Sequence, residues 1–88
     1  MQILYKSILE DTVVHAGECY LVGAEFTHTG TNDLVIYDEG SATTASRKVM
    51  LLKGGSPTVS IMFPLPGIKC SNIFADWTAG TGTVYYYL

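Results

Sequence analysis

The chain is poor in charge. Aspartate, glutamate, lysine and arginine make up 15% of its 88 residues, against about 25% in an ordinary soluble domain. Its four lysines and one arginine are scattered, and only Arg47 and Lys48 are adjacent. No basic stripe exists to follow a phosphate backbone, so nucleic acid is not expected as a direct partner. No apolar run approaches the roughly 18 residues of a membrane-spanning helix. Residues 1–17 lack the basic start and apolar block of a signal peptide, so the expected place of synthesis and residence is the cytoplasm, or an assembly formed there. Cysteine is scarce: Cys19 and Cys70 have no CxxC or Cys–His spacing that suggests zinc. A disulfide between them is open to an exported protein, but two small buried thiols are the expectation. No window of ten residues or more shows a helical repeat.

What is abundant is apolar surface. Apolar residues make up 48% of the chain. A chain of this length is one domain, and it buries about 60–65% of the surface its unfolded form exposes. That is more apolar surface than one small core can hide, and oligomerisation is the simplest resolution.

Alternation predicts strands throughout. Short strands are expected over residues 2–6 and 12–15, with a turn at Ala16-Gly17-Glu18. A longer one follows over residues 19–28, its even positions Tyr20, Val22, Ala24 and Phe26 forming the core face. Residues 29–33 are a turn by composition. Residues 34–37 are apolar on both faces, and residues 41–46 (SATTAS) form a polar surface loop. Further strands are expected over residues 47–53, 58–63, 68–70, 73–77 and 83–88. Gly54-Gly55-Ser56-Pro57 and Pro64-Leu65-Pro66-Gly67 punctuate them, since proline cannot donate to a ladder. About eight short strands at this spacing predict an all-β, antiparallel β-sandwich of jelly-roll type in a single domain, residues 1–88.

Catalytic signals are sparse. His28 lies between threonines at a strand end and is expected in solvent. His15 ends an apolar run and is expected to be partly buried and hydrogen-bonded. No serine sits in a GxSxG elbow. The acid pairs Glu10-Asp11 and Asp38-Glu39 fall at turns, where carboxylates favour water, and adjacent residues on extended chain point to opposite faces. The glycine clusters Gly54-Gly55 and Gly80-Thr81-Gly82 lack the lysine or following helix of a phosphate cradle. No enzyme activity, cofactor or metal is expected. The aromatic residues carry more. On a strand, Tyr85 and Tyr87 share one face and Tyr86 takes the other with Val84. A tyrosine row suits either a core and subunit interface or a stacking platform for sugars, and the interface is the expectation.

The segment FPLPGIKCSNIFADWTAGTGTVYYYL resembles the closing phrase of many small structural proteins of tailed bacteriophages. The residues that carry the likeness are Pro66, Gly67, Ile68, Cys70, Asn72, Ile73, Phe74, Ala75, Thr78, Gly80, Thr81, Val84 and Tyr86. The earlier YLVGAEF and NDLVIYDEGSATTASRKVMLL are similar in the same way, so the resemblance runs from Cys19 onward. One departure is the glycine usual after Asn72: Ile73 follows directly, and a tighter or differently shaped turn is expected there. The resemblance implies a virion component with a jelly-roll-like fold, most often a capsid decoration (cement) protein, trimeric on the shell and bound to the major capsid protein. Neck, tail and baseplate parts are the alternatives within that group. A carbohydrate-binding module using Trp77 or the tyrosines is the alternative outside it. The expected interface comprises Phe63, Leu65, Trp77, Tyr85, Tyr86, Tyr87 and Leu88, with residues 1–6 as a possible arm to a neighbour.

Overall fold

Among the described residues, runs of alternating apolar residues, bounded by glycine, proline and short polar stretches, form seven strands. They are β1 (Leu4–Ile8), β2 (Thr12–Thr27), β3 (Leu34–Tyr37), β4 (Lys48–Leu52), β5 (Val59–Met62), β6 (Ile68–Asp76) and β7 (Thr81–Tyr87). The structure is a computed structural model that describes residues 2–27, 33–39, 48–53, 58–76 and 80–88. The expectations for His28, Trp77, the loop over 41–46 and the turns over 29–32 and 54–57 lie outside these residues. Every strand pairing is antiparallel. The all-β antiparallel class read from the alternation is therefore what the chain adopts.

The strands run in the order β1-β7-β2-β6-β3-β4, with β5 added on β2. The long β2 organises the fold. Its second half pairs with β7 on one edge and β5 on the other, while its first half pairs with β6. Two layers result, β1-β7-β2-β5 and β2-β6-β3-β4. They face each other, as one contact proves. Gly82 of β7 lies under Leu34 of β3, so that a Cβ there would stand 3.1 Å from Leu34 Cδ2. Those strands are three steps apart along the sheet, about 14 Å if it were flat. Only a sheet folded over on itself brings them together. Between the layers lie Ile8, Leu21, Ala24, Phe26, Leu34, Ile36, Leu52, Ile73 and Val84, all fully buried.

Two pairs of expected short strands are each one continuous strand. The turn expected at Ala16-Gly17-Glu18 is a bulge inside β2: Ala16 pairs with Asn72 and Cys19 with Cys70, so β2 carries one extra residue. Gly17 takes a positive φ of 118° there, a conformation suited to glycine. The Gly17 amide donates to Asn72 Oδ1 at 3.2 Å. On the facing strand, the amides of Ser71 and Asn72 both donate to Asp38 Oδ1, at 2.8 and 3.0 Å. Asp38, expected to face water at a turn, thus fastens β6 to the end of β3. The turn expected near Asn72 does not form, and β6 runs through it.

The β2–β6 register also shifts between Val13 and His15, and a further bulge, against β7, overturns the expected faces of β2. Leu21 pairs with Tyr86 and Gly23 with Tyr85, leaving Val22 as the extra residue. One inserted residue reverses the alternation. Cys19 and Leu21 point inward before it, and Ala24 and Phe26 after it. Tyr20, expected on the core face, is instead on the outside.

Candidate binding face

The outer face of the β1-β7-β2-β5 layer is built from rows of directly opposed residues. One row is Tyr5, Tyr85, Gly23 and Met62. Tyr5 is 69% exposed and Met62 51%. Gly23 is required by close approach: a Cβ would collide with Met62 Sδ and the Ile61 carbonyl oxygen. A glycine inside a strand often marks such a place, and here the Met62 side chain lies against it.

The next row toward the end of β7 is Tyr87 with Tyr20. Their rings stack, with centroids 4.9 Å apart and planes within 10°. The Tyr87 hydroxyl donates to the Pro66 carbonyl at 2.6 Å. That bond ties the strand to the Pro64-Leu65-Pro66-Gly67 turn, which the Gly67 amide closes on the Pro64 carbonyl at 2.9 Å. Gly67 has a φ of 82°, and a Cβ there would meet the Leu21 carbonyl. The turn holds Leu65 outward, 55% exposed, and Leu88 is exposed just past Tyr87. Ile3, also exposed, precedes Leu4, which pairs with Tyr86. An aromatic and apolar end of the face is thereby assembled from four separate stretches of sequence.

The opposite end is hydroxylic. Its rows are Ser7, Thr83, Glu25 and Ser60, then Thr81 with Thr27. Thr27 Oγ1 lies 3.2 Å from Thr58 Oγ1. Between the two ends, the Tyr85 hydroxyl donates to Glu25 Oε1 at 2.6 Å. That hydrogen bond, with burial and the Glu25 charge adding to it, raises the Tyr85 phenol above its ordinary value.

Of the residues expected at an interface, Tyr85 and Tyr87 are on this outer face, Leu65 projects at its aromatic end, and Leu88 follows Tyr87 as an exposed residue. Tyr86 turns the other way, against the core, with the His15 ring 5.7 Å away. Phe63 also packs against the core, its amide bonded to the Val22 carbonyl. Tyr5, Tyr20, Met62 and Glu25 belong to the face without having been singled out in the sequence. The readable signal for Tyr20 was the phase change between Leu21 and Ala24, with Gly23 marking it.

In the core, Cys19 and Cys70 are directly opposed across β2 and β6, buried and unbridged. Burial, then the nearby Asp38 carboxylate, pushes the Cys19 thiol up. Burial, Asp38 and Cys19 push Cys70 up to about 11. Both are thiols at neutral pH, poor nucleophiles and poor ligands in that form. Among the described residues, no group of three or more His, Cys, Asp or Glu comes together to hold a metal ion.

Comparison with protein-family models, with curated proteins and with solved structures gives no match.

Proposed function

We propose that the chain is a non-enzymatic structural protein of a tailed-bacteriophage virion, a capsid decoration protein. On this reading it docks on the major capsid protein and on copies of itself through the aromatic end of the outer face. The trimer and the finer jelly-roll assignment belong to the same reading. The observation that carries it is the Tyr20–Tyr87 stack, with Leu65 exposed on the turn that the Tyr87 hydroxyl holds. Aromatic residues are enriched at protein interfaces, and a contiguous apolar patch marks an interaction site. The phage-like phrase in the sequence supplies the kind of partner.

The physical role follows from linkage. A protein that binds the closed shell and not its dissociated subunits stabilises the shell by the free energy of binding. A symmetric oligomer multiplies modest contacts into avidity. A rigid all-β unit that presents preformed side chains loses little conformational entropy on docking.

Particles purified from cells making the virus test this reading. Density for the domain on the outer shell, lost when Leu65→Asp and Tyr87→Ala are combined, is the expected result. Absence of the protein from the particle overturns it. Density at the neck, tail or baseplate replaces the capsid partner with the alternative one.

A further inference from the structure

The hydroxylic end of the outer face contains a cleft of about 290 Å³, lined by Ser7, Leu9, Glu25, Thr27, Thr81 and Thr83, with Phe26 and Gly82 behind them. It lies at the other end of β7 from Tyr87, about 20 Å away along the strand. We infer that this cleft is a binding site for a neutral saccharide, seating one sugar ring with the next ring on Tyr5 and Tyr85. The inference is independent of the proposed docking end.

The chemistry of the lining selects the ligand. Four of its side chains are hydroxyls, each able both to donate and to accept. That dual capacity matches sugar hydroxyls, which present donors and acceptors in alternation. Glu25 adds a charged acceptor, and its orientation is fixed by the Tyr85 hydroxyl at 2.6 Å. A carboxylate has about four acceptor sites, so the bond to Tyr85 leaves capacity for a sugar hydroxyl, the stronger kind of hydrogen bond. Leu9, 63% exposed, supplies an apolar wall for the C–H edge of a ring. Among the described residues no cation lines the cleft, and Glu25 repels phosphate and carboxylate, so an anionic sugar is disfavoured. The volume is at the small end of ligand sites and suits one ring.

The aromatic rim extends the site. Ser7 and Thr83 face each other, and two residues further along the same strands so do Tyr5 and Tyr85. Two residues of extended chain span about 7 Å, on the order of one sugar step. Tyr5 is 69% exposed, so its ring is open to a second sugar. An oligosaccharide is therefore expected to bind better than a single ring.

Saturation-transfer NMR on the purified full chain tests the site. The probes are methyl glycosides of glucose, galactose, mannose and N-acetylglucosamine, the matching disaccharides, and choline. At least one neutral sugar is expected to bind with Kd of about 1 mM. Thr83→Val, close in shape and without the hydroxyl, is expected to weaken it about tenfold. Thr83→Ser is expected to restore it. Glu25→Gln weakens binding too, while Tyr5→Ala removes the advantage of the disaccharide and leaves the single ring unaffected. Wild-type-like unfolding midpoints in these variants confirm that they fold. No transfer from any sugar at about 100 mM, well above that Kd, overturns the inference. Binding unchanged in Thr83→Val, or choline preferred to every sugar, overturns it equally.

Discussion

Tyr85 donates its hydroxyl to Glu25 along a diagonal of the β7–β2 ladder: Tyr85 is opposed to Gly23, and Glu25 to Thr83. The residue opposite the tyrosine has no side chain, and the ring's hydroxyl reaches to the next outward-facing position. This bond joins the aromatic end of the face to the hydroxylic end. It also raises the Tyr85 phenol above its ordinary value.

Tyr85 is expected to ionise above the ordinary tyrosine range, because the Glu25 hydrogen bond stabilises its protonated form. In the alkaline window between the unfolded value of 10.0 and the raised folded value, the native chain holds more protons than the unfolded one. Stability from this group is thus present below pH 10 and lost as pH rises through the folded value. Ultraviolet titration of wild type and Glu25→Gln checks it. The variant is expected to move one tyrosine back toward the ordinary range; an unchanged titration contradicts the assignment.

Gly23→Ala is expected to destabilise the domain by about 1–3 kcal/mol, the range for forced overpacking. A Cβ there has the Ile61 carbonyl and Met62 Sδ in its way, and a backbone obstacle cannot rotate aside. Urea unfolding gives the value. Met62→Ala removes the side-chain part of the clash and leaves the backbone part, so the double variant is expected to recover only partly.

Asp38→Ala is expected to cost about 1–2 kcal/mol, since it removes the acceptor for two amides at once. The amides of Ser71 and Asn72 are expected to lose hydrogen-exchange protection in the variant, with the amides of β7 unaffected. Asp38→Asn, which keeps a carbonyl oxygen, is expected to fall between the two.

Cys19 and Cys70 are expected to be inert to a thiol reagent at pH 8 in the native protein, and both are expected to react after unfolding in guanidinium. Burial shields them, and with Cys70 held near 11 little thiolate is present to attack. Rapid native labelling of either thiol contradicts their placement in the core.

The strands were legible because alternation reports burial directly. That Tyr86 faces opposite to Tyr85 and Tyr87 follows from period two; which of the two faces meets the core comes from the packing. The bulges were not legible as bulges. Ala16-Gly17-Glu18 has the composition of a turn, and only the distant Asn72 and Asp38 make it part of a ladder. Tyr20 was misplaced for the same reason: local alternation continues through Val22 on paper, but pairing with β7 inserts a residue there. Tyr5 and Met62 reach the face through pairings with β7 and β2, and such register is not written in either strand alone. Phe63 looks like an interface residue beside the proline turn, yet its strand directs it to the core.

The central claim is that the aromatic end of the outer face is buried between protein subunits. Native mass spectrometry of the purified chain tests it most directly. The account predicts a homo-oligomer, with the trimer of the 9.5 kDa subunit as the main species, and a folded monomer when Leu65→Asp and Tyr87→Ala are combined. A wild-type monomer, or an oligomer whose mass is unchanged by those substitutions, would contradict it.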